Sequence, residues 1–110
     1  MEAVLYELTK REEFVLLAIW LLGENAYGIT VRKAVIEMSK SKLHYGSLYN
    51  TLYQLGKKGL VDTKESAPES VKGGRSKVLY SLTAEGRRAL KSAQEIQRSV
   101  WGNIPDFAFE

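Results

Sequence analysis

Apolar residues recur with a helical period in three segments of the first sixty positions. In the first segment, Thr9 and Glu12 have the spacing of a capping box, in which the hydroxyl accepts a backbone N–H of the first turn and the carboxylate reaches back to the N–H of the capping residue. Apolar residues then run from Phe14 to Leu22 and occupy nearly every side of the helix. This predicts a helix that is central to the core or shared with a partner chain, and that ends near residues 23–25.

The second and third segments predict two further helices. Tyr27-Gly28 opens the second helix, whose single apolar stripe comprises Val31, Ala34, Val35 and Met38. A short polar break over residues 39–43 separates it from a third helix, expected from about Tyr45 to Lys57. Gly59 is placed to stop that helix, because glycine readily adopts the left-handed backbone that ends helices.

The rest of the chain predicts a β-hairpin and a fourth helix. Residues 60–64 and 77–82 are strand-like, and the proline and glycines between Ser66 and Gly74 indicate a loop. Thr83 is expected to cap a fourth helix that ends at Pro105. The apolar stripe of that helix comprises Leu90, Ala93, Ile96 (or Gln97), Val100 and Ile104.

Three helices, a hairpin and a final helix follow the order of a winged helix-turn-helix. A lone hairpin is marginally stable, so this one is expected to dock on the helices as a wing does. The predicted fold is therefore mainly α with a small two-stranded β-hairpin. We divide it into a winged helix-turn-helix domain over residues 1–83 and a C-terminal dimerisation helix with a tail over residues 84–110.

Composition excludes several classes of function. The chain of 110 residues suits one domain and has no cysteine, which excludes disulfides, thiolate metal sites and cysteine nucleophiles. The single histidine, His44, cannot build a histidine zinc site, and no motif of paired carboxylates or of nucleophile and base indicates an enzyme. The longest apolar run has nine residues, and the first residues lack the basic segment of a signal peptide. A cytoplasmic protein without a cofactor is expected.

The net charge of +3 is unevenly distributed. Residues 27–91 carry thirteen basic and five acidic side chains, whereas both flanking segments are net acidic. The middle segment therefore has an electrostatic reason to meet a polyanion such as nucleic acid. The alternative is the ordinary variation of solvated faces, because surface basicity permits nucleic-acid binding without specifying it.

Projection at about 100° per residue divides the third helix into three faces. The aliphatic face, expected to be buried, comprises Leu48, Leu52 and Leu55. The polar face comprises Ser47, Asn50, Thr51, Gln54 and Lys58, and the tyrosine face comprises Tyr45, Tyr49 and Tyr53. Uncharged amides and hydroxyls can read base edges in the DNA major groove, where Asn and Gln pair bidentately with adenine. The alternative is a plain solvent-exposed face.

Cations and tyrosines are candidates for contacts to DNA phosphates. Lys57 and Lys58 lie at the end of the third helix, and Tyr49 lies near its start. Tyr53 is expected mainly to pack against the first helix or the hairpin. In the loop of the wing, cations surround two glycines that permit close approach to a DNA backbone. These wing candidates are Lys72, Gly73, Gly74, Arg75 and Lys77.

Taken together, these residues resemble the PadR family of winged-helix regulators over about residues 10–92. The positions that carry the resemblance are Tyr27-Gly28, Gly46-Ser47-Leu48-Tyr49, Leu52, Leu55, Gly59-Leu60-Val61, Gly73-Gly74-Arg75, Lys77, Tyr80, Leu82-Thr83, Glu85-Gly86-Arg87 and Leu90. The DNA-binding residues expected outside the wing are Tyr27, Tyr45, Ser47, Tyr49, Asn50, Gln54, Lys57 and Lys58. The chain departs from the family pattern at His44, where serine is usual, at Asn50, where proline is frequent, and in a long wing.

The resemblance implies a homodimer on a pseudo-palindromic operator, most often as a repressor, and for some members release by a small aromatic molecule. Dimerisation is implied through the last helix with help from the first. The apolar residues expected to serve the dimer or a ligand are Trp20, Ile96, Val100, Trp101 and Ile104. Two interpretations of Trp20 and Trp101 stay open: both tryptophans only fill the dimer interface, or they line a shared cavity in which flat aromatic ligands stack.

Two other functions stay open. A winged-helix domain can serve as a protein–protein interaction module, which predicts weak DNA affinity that is indifferent to sequence. Membership of another winged-helix regulator family would change the ligand and the target but not the mechanism.

Overall fold

The computed structural model describes residues 7–66, 76–102 and 104–105 and has the predicted order of elements. They are α1 (Lys10–Leu22), a short 3-10 helix (Gly23–Asn25), α2 (Gly28–Ser39), α3 (Tyr45–Lys57), β1 (Val61–Glu65), β2 (Val78–Leu82) and α4 (Ala84–Trp101). The predicted limits of α3 are confirmed at both ends. The fold is mainly α with a two-stranded hairpin, which is the predicted winged helix-turn-helix.

Side-chain caps and a glycine set the limits of the helices. The predicted capping box is present, because Thr9 Oγ1 accepts the Glu12 N–H at 3.0 Å and Glu12 Oε1 accepts the Thr9 N–H at 2.9 Å. Thr83 caps α4 by accepting the Gly86 N–H at 2.9 Å. After α3, Gly59 has a φ of +75°, the left-handed backbone expected of a helix stop.

The hydrophobic core forms where α1 packs against α2 and α3. Its largest fully buried side chains are Val15, Leu16, Ile19, Val31, Leu48, Leu55 and Leu60. The predicted stripe of α2 is buried at Val31 and Val35, whereas Met38, at its far end, is exposed. α1 is only partly covered by its own chain, because Trp20 and Leu21 are more than half exposed.

The hairpin is docked on the helices, as predicted. β1 and β2 pair antiparallel, and the Tyr80 N–H of β2 also donates to the Ala26 carbonyl oxygen at 2.8 Å, which ties the hairpin to the segment between α1 and α2. Behind the hairpin, Gly86 of α4 approaches Leu60 so closely that a Cβ on Gly86 would lie 2.0 Å from the Leu60 carbonyl oxygen. Only glycine permits this approach.

α4 ends earlier than predicted. Placing its end at Pro105, with Ile104 on its apolar stripe, was wrong, since the helix ends at Trp101 and Gly102 is its cap residue. Glycine loses more conformational freedom in a helix than any other residue, so α4 ends with Gly102 as its cap, before the position where Pro105 would prevent helical hydrogen bonding. Ile104 therefore lies beyond the helix.

Two predictions concern larger parts of the chain. Every helix within the described ranges is too short or too polar to span a bilayer. The division of the chain after residue 83 stays a prediction. Gly86 and Ala89, in the first turns of α4, are buried against the rest of the fold.

An ion pair joins the start of α1 to the end of α3. Glu12 is only 5% exposed, and its Oε2 accepts from the Lys58 ammonium at 2.6 Å. Burial raises the pKa of Glu12, but the hydrogen bond and charge of Lys58 and the hydrogen bonds with Thr9 outweigh burial and hold the pKa below its ordinary value. The carboxylate is therefore charged at neutral pH and has a partner on each oxygen.

Glu12→Gln is expected to lower the free energy of unfolding by about 1 kcal/mol at pH 7, because it removes the ion pair but keeps an oxygen for the capping box. A carboxylate with a lowered folded pKa contributes fully above its unfolded pKa and loses that contribution as the pH falls through the folded pKa. The stability difference should therefore shrink below about pH 4. Urea unfolding at pH 7 and pH 3 measures it, and an undiminished difference at pH 3 would contradict this account.

Candidate nucleic-acid interface

Three leucines decide which side of α3 faces outward. Leu48, Leu52 and Leu55 are at most 3% exposed, as predicted, and their burial fixes the rotation of the helix. Asn50 and Gln54 consequently lie on the exposed side. The structure thus places the two amide side chains expected to read bases on one accessible surface of a helix that is held from behind.

The rest of the predicted polar face of α3 is differently placed. Thr51 was expected beside the amides but is only 7% exposed, and its hydroxyl donates to the Ser47 carbonyl oxygen at 2.8 Å. It lies one turn from two of the buried leucines, so it shares their side of the helix. Lys58 is held by Glu12, and Ser47 is half-buried. A contact of Lys58 with a DNA phosphate stays a prediction.

Two tyrosines stack along the start of α3. The ring centroids of Tyr45 and Tyr49 are 6.3 Å apart, and the ring planes differ by 22°. The Tyr49 hydroxyl lies against the first turn of α2, where a Cβ on Gly28 would be 2.2 Å from it. Gly28 permits this contact, which directs the hydroxyl to α2. Both rings stay about half exposed, and their contact with DNA stays a prediction.

Tyr53 does not pack as expected. Its side chain is 63% exposed, and the Lys57 ammonium lies 5.6 Å from its ring centroid. Tyr53 is one turn from Asn50, so the buried leucines turn it outward with the amides. Tyr80 of the hairpin is half-buried instead, and burial, followed by the neighbouring Tyr49, raises the pKa of its hydroxyl. That hydroxyl therefore stays protonated at neutral pH.

One predicted residue of the wing reaches the start of α2. The Lys77 ammonium lies 4.3 Å from the ring centroid of Tyr27, a cation–π contact that joins two predicted DNA-binding residues from distant segments. The other predicted wing residues, which lie outside the described residues, are Lys72, Gly73, Gly74 and Arg75. Their contacts with DNA stay predictions.

The start of α3 has no side-chain cap and lies beside a cation that the sequence did not single out. His44 occupies the N-cap position without a capping hydrogen bond, in keeping with the weak capping ability of histidine. Arg32 of α2 stacks 4.4 Å from the Tyr45 ring centroid and donates from Nε to the Leu43 carbonyl oxygen at 2.6 Å. In the sequence, only its position off the apolar stripe and its charge indicated a surface role.

A groove of about 820 Å³ lies between α1 and α4. Trp20 and Trp101, each about half exposed, line it together with Leu17 and Leu90. The two tryptophans were expected to meet in a dimer, and here they already line one groove of a single chain. The groove offers aromatic and cationic side chains, and within the described ranges no group of His, Asp and Glu is arranged to hold a metal ion.

The second half of α4 leaves an apolar stripe exposed. Ala89 is fully buried, whereas Ile96 and Val100, seven and eleven residues further along the same helix face, are 44% and 55% exposed. Ile104, beyond the helix, is exposed as well. The apolar stripe of α4 therefore begins in the core of this chain and continues along the second half of the helix, where this chain does not cover it.

Comparisons with known proteins agree with this architecture. A search of curated proteins found no match. A PadR family transcription regulator from Clostridium difficile R20291 is 26% identical, with a TM-score of 0.64 over 82% of this chain and 91% of that chain. A complex structure of H. salinarum RosR is 30% identical, with a TM-score of 0.63 over 87% of this chain and 78% of that chain.

A third structure shows the same fold at lower identity. Bordetella bronchiseptica BpsR, whose DNA binding is regulated by 6-hydroxynicotinic acid, is 22% identical, with a TM-score of 0.62 over 89% of this chain and 68% of that chain.

The sequence model of the transcriptional regulator PadR-like family matches residues 16–92, which confirms the resemblance carried by the α3, hairpin and α4 residues. The chain therefore belongs to the PadR-like family of transcriptional regulators.

Proposed function

We propose that this chain is a homodimeric transcriptional repressor of the cytoplasm, which reads a pseudo-palindromic operator with α3 and is released by a small aromatic effector. The observation that carries the proposal is the exposure of Asn50 and Gln54 on α3, whose opposite face is buried in the core through three leucines. A fixed helix with outward amides has the chemistry for major-groove readout, because amides donate and accept in the pattern that adenine presents.

The cations around α3 support the sequence-independent part of DNA binding. Lys57 lies at the end of α3, and Lys77 lies over Tyr27 at the start of α2. Gly28, the residue after Tyr27, contacts Tyr49 of α3, so both cations lie near α3, where DNA phosphates beside a groove would be within reach. DNA binding by this arrangement depends on salt, because each phosphate contact releases counterions.

The exposed apolar surfaces of α1 and α4 support the homodimer. Trp20 and Leu21 of α1 and Val100 of α4 are more than half exposed, although they are large apolar side chains. Apolar patches of this kind mark interaction surfaces, since their burial is favourable. A second copy of the chain offers the complementary patch, and a two-fold symmetric dimer matches the two half-sites of a pseudo-palindromic operator.

The groove between α1 and α4 supports the aromatic effector. Its tryptophans offer stacking surfaces, and its lining includes Arg87, Lys91 and Arg98, which favour an acidic substituent on the ligand. A flat heteroaromatic acid regulates DNA binding by BpsR. The groove adjoins the surfaces proposed for the dimer, so its occupation can change how two chains are arranged.

Asn50→Ala and Gln54→Ala are each expected to reduce the preference for an operator over random DNA by ~1–3 kcal/mol if the amide pairs bidentately with a base. Arg75→Ala is the matched comparison, because loss of a phosphate contact weakens binding to both DNAs alike and flattens the salt dependence. Competition binding on both DNAs measures each ratio. Equal effects of all three substitutions on both DNAs would overturn these roles and favour the protein-interaction module.

Val100→Lys is expected to weaken the homodimer at least tenfold, because it places a charge in the apolar stripe of α4. Glu95→Lys is the control, since it introduces the same side chain, with a larger change of charge, at an exposed position about 140° around α4 from Val100. Sedimentation equilibrium measures the dissociation constant of each protein. Equal dimer stability in the two variants would contradict dimerisation through this stripe.

6-Hydroxynicotinic acid is a suitable first probe of the α1–α4 groove. Binding there is expected to quench tryptophan fluorescence and to weaken DNA binding in the same concentration range. Trp20→Phe should retain part of the quenching through Trp101, and Trp20→Ala should bind the probe at least tenfold more weakly through lost stacking. If this probe and a panel of other flat aromatic acids left both the fluorescence and the DNA affinity unchanged, the tryptophans would serve only to pack the interface.

A further inference from the structure

A second concave site lies at the turn between α2 and α3. It is a recess of about 540 Å³, and its lining includes Arg32, Lys40, Lys42 and His44. Glu37 is the single carboxylate in the lining. Among the described residues, no carboxylate forms an ion pair with Arg32, Lys40 or Lys42. The recess therefore concentrates positive charge in a concave surface where counter-anions are favoured.

The guanidinium at the side of the recess is held in place by the protein itself. Arg32 donates from Nε to the Leu43 carbonyl oxygen at 2.6 Å, and its Cζ lies over the Tyr45 ring, 4.4 Å from the centroid. These two contacts use the inner edge and one face of the guanidinium, which leaves its terminal amino groups for a ligand. A planar, pre-oriented guanidinium binds phosphate oxygens with little loss of side-chain freedom.

The helix that begins at the recess has an uncapped N-terminus. His44 is both the N-cap residue of α3 and part of the lining, and its side chain makes no capping hydrogen bond. The first N–H groups of a helix have no partner within the helix and carry partial positive charge. His44 therefore brings this uncapped, partly positive helix end to the edge of the recess, where it adds to the attraction for an anion.

We propose that this recess binds a backbone phosphate of DNA at the N-terminal end of α3. The proposal rests on the DNA-binding function proposed above and adds Arg32, Lys40 and Lys42 to its contacts. The thirteen residues of α3 span about 20 Å, so the recess and Lys57 lie at the two ends of a helix that is longer than the ~12 Å width of the major groove. Cations at both ends can bind the two backbones that border the groove.

The test compares two double variants with equal loss of charge. Lys40→Gln/Lys42→Gln alters the recess, and Lys10→Gln/Arg11→Gln alters the start of α1, which lies against the far end of α3 through Glu12 and Lys58. Binding of each full-length protein to its own promoter region and to random DNA is measured across a salt series. The recess variant is expected to lose roughly tenfold affinity or more for both DNAs, with a salt slope reduced by about 2, and to keep the promoter preference.

Three results would overturn the proposal. The recess variant could bind like the wild type, it could match the α1 variant in slope and affinity, or it could lose mainly promoter preference. The first two would show that the recess holds no phosphate, and the third would make it a site of base readout. If the wild type itself had no promoter preference, the proposed function would fail, and the recess would be judged by a direct measurement.

That direct measurement distinguishes DNA from a free anion. Amide resonances of residues 45–47 are followed by NMR during titration with a short random duplex and, separately, with inorganic phosphate at matched ionic strength. The proposal expects shifts with the duplex at far lower concentration than with phosphate, and smaller shifts in the recess variant. Shifts with phosphate alone would assign the recess to a free anion, and no shift with either would leave it without an anion-binding role.

Discussion

Burial of the leucine face of α3 is the constraint on which the rest of the structure depends. Leu48, Leu52 and Leu55 lie in the core with Leu16 and Ile19 of α1, and such side chains contribute about 1.5–3 kcal/mol each when fully buried. The rotation of α3 is thereby fixed, and with it the outward position of its amides. Sequence readout needs this rigidity, because a bidentate contact to a base is lost when the helix that carries it turns.

α1 connects the surface proposed to face DNA with the surface proposed for dimerisation. Its buried side packs on α2 and α3, its first turn is tied to the end of α3 by Glu12 and Lys58, and its exposed side carries Trp20 in the groove beside α4. A ligand that shifts α1 against α4 therefore acts on an element in direct contact with α3, the helix proposed to read DNA. In the proposed effector response, α1 alone links the groove beside α4 to α3.

The sequence predicted best those features that a local pattern sets. The limits of α3, the capping box at Thr9 and the stop at Gly59 follow from residues within one or two turns, and all three are present. Features that depend on distant partners were missed. The ion pair of Lys58 with Glu12 was not predicted, because nothing near Lys58 in sequence indicates it. Tyr53 was assigned to packing because the projection left open how far the tyrosine face turns outward.

The central claim is that the outward face of α3 reads a particular DNA sequence. The most direct test is binding of the purified wild-type protein to its own promoter region and to random DNA of equal length, across a range of salt concentrations. The account predicts tight, salt-sensitive binding that prefers the promoter by about 10³-fold or more, the range of specific regulators. Weak and equal binding to both DNAs, with no other operator found, would contradict it and would make the chain a protein-interaction module.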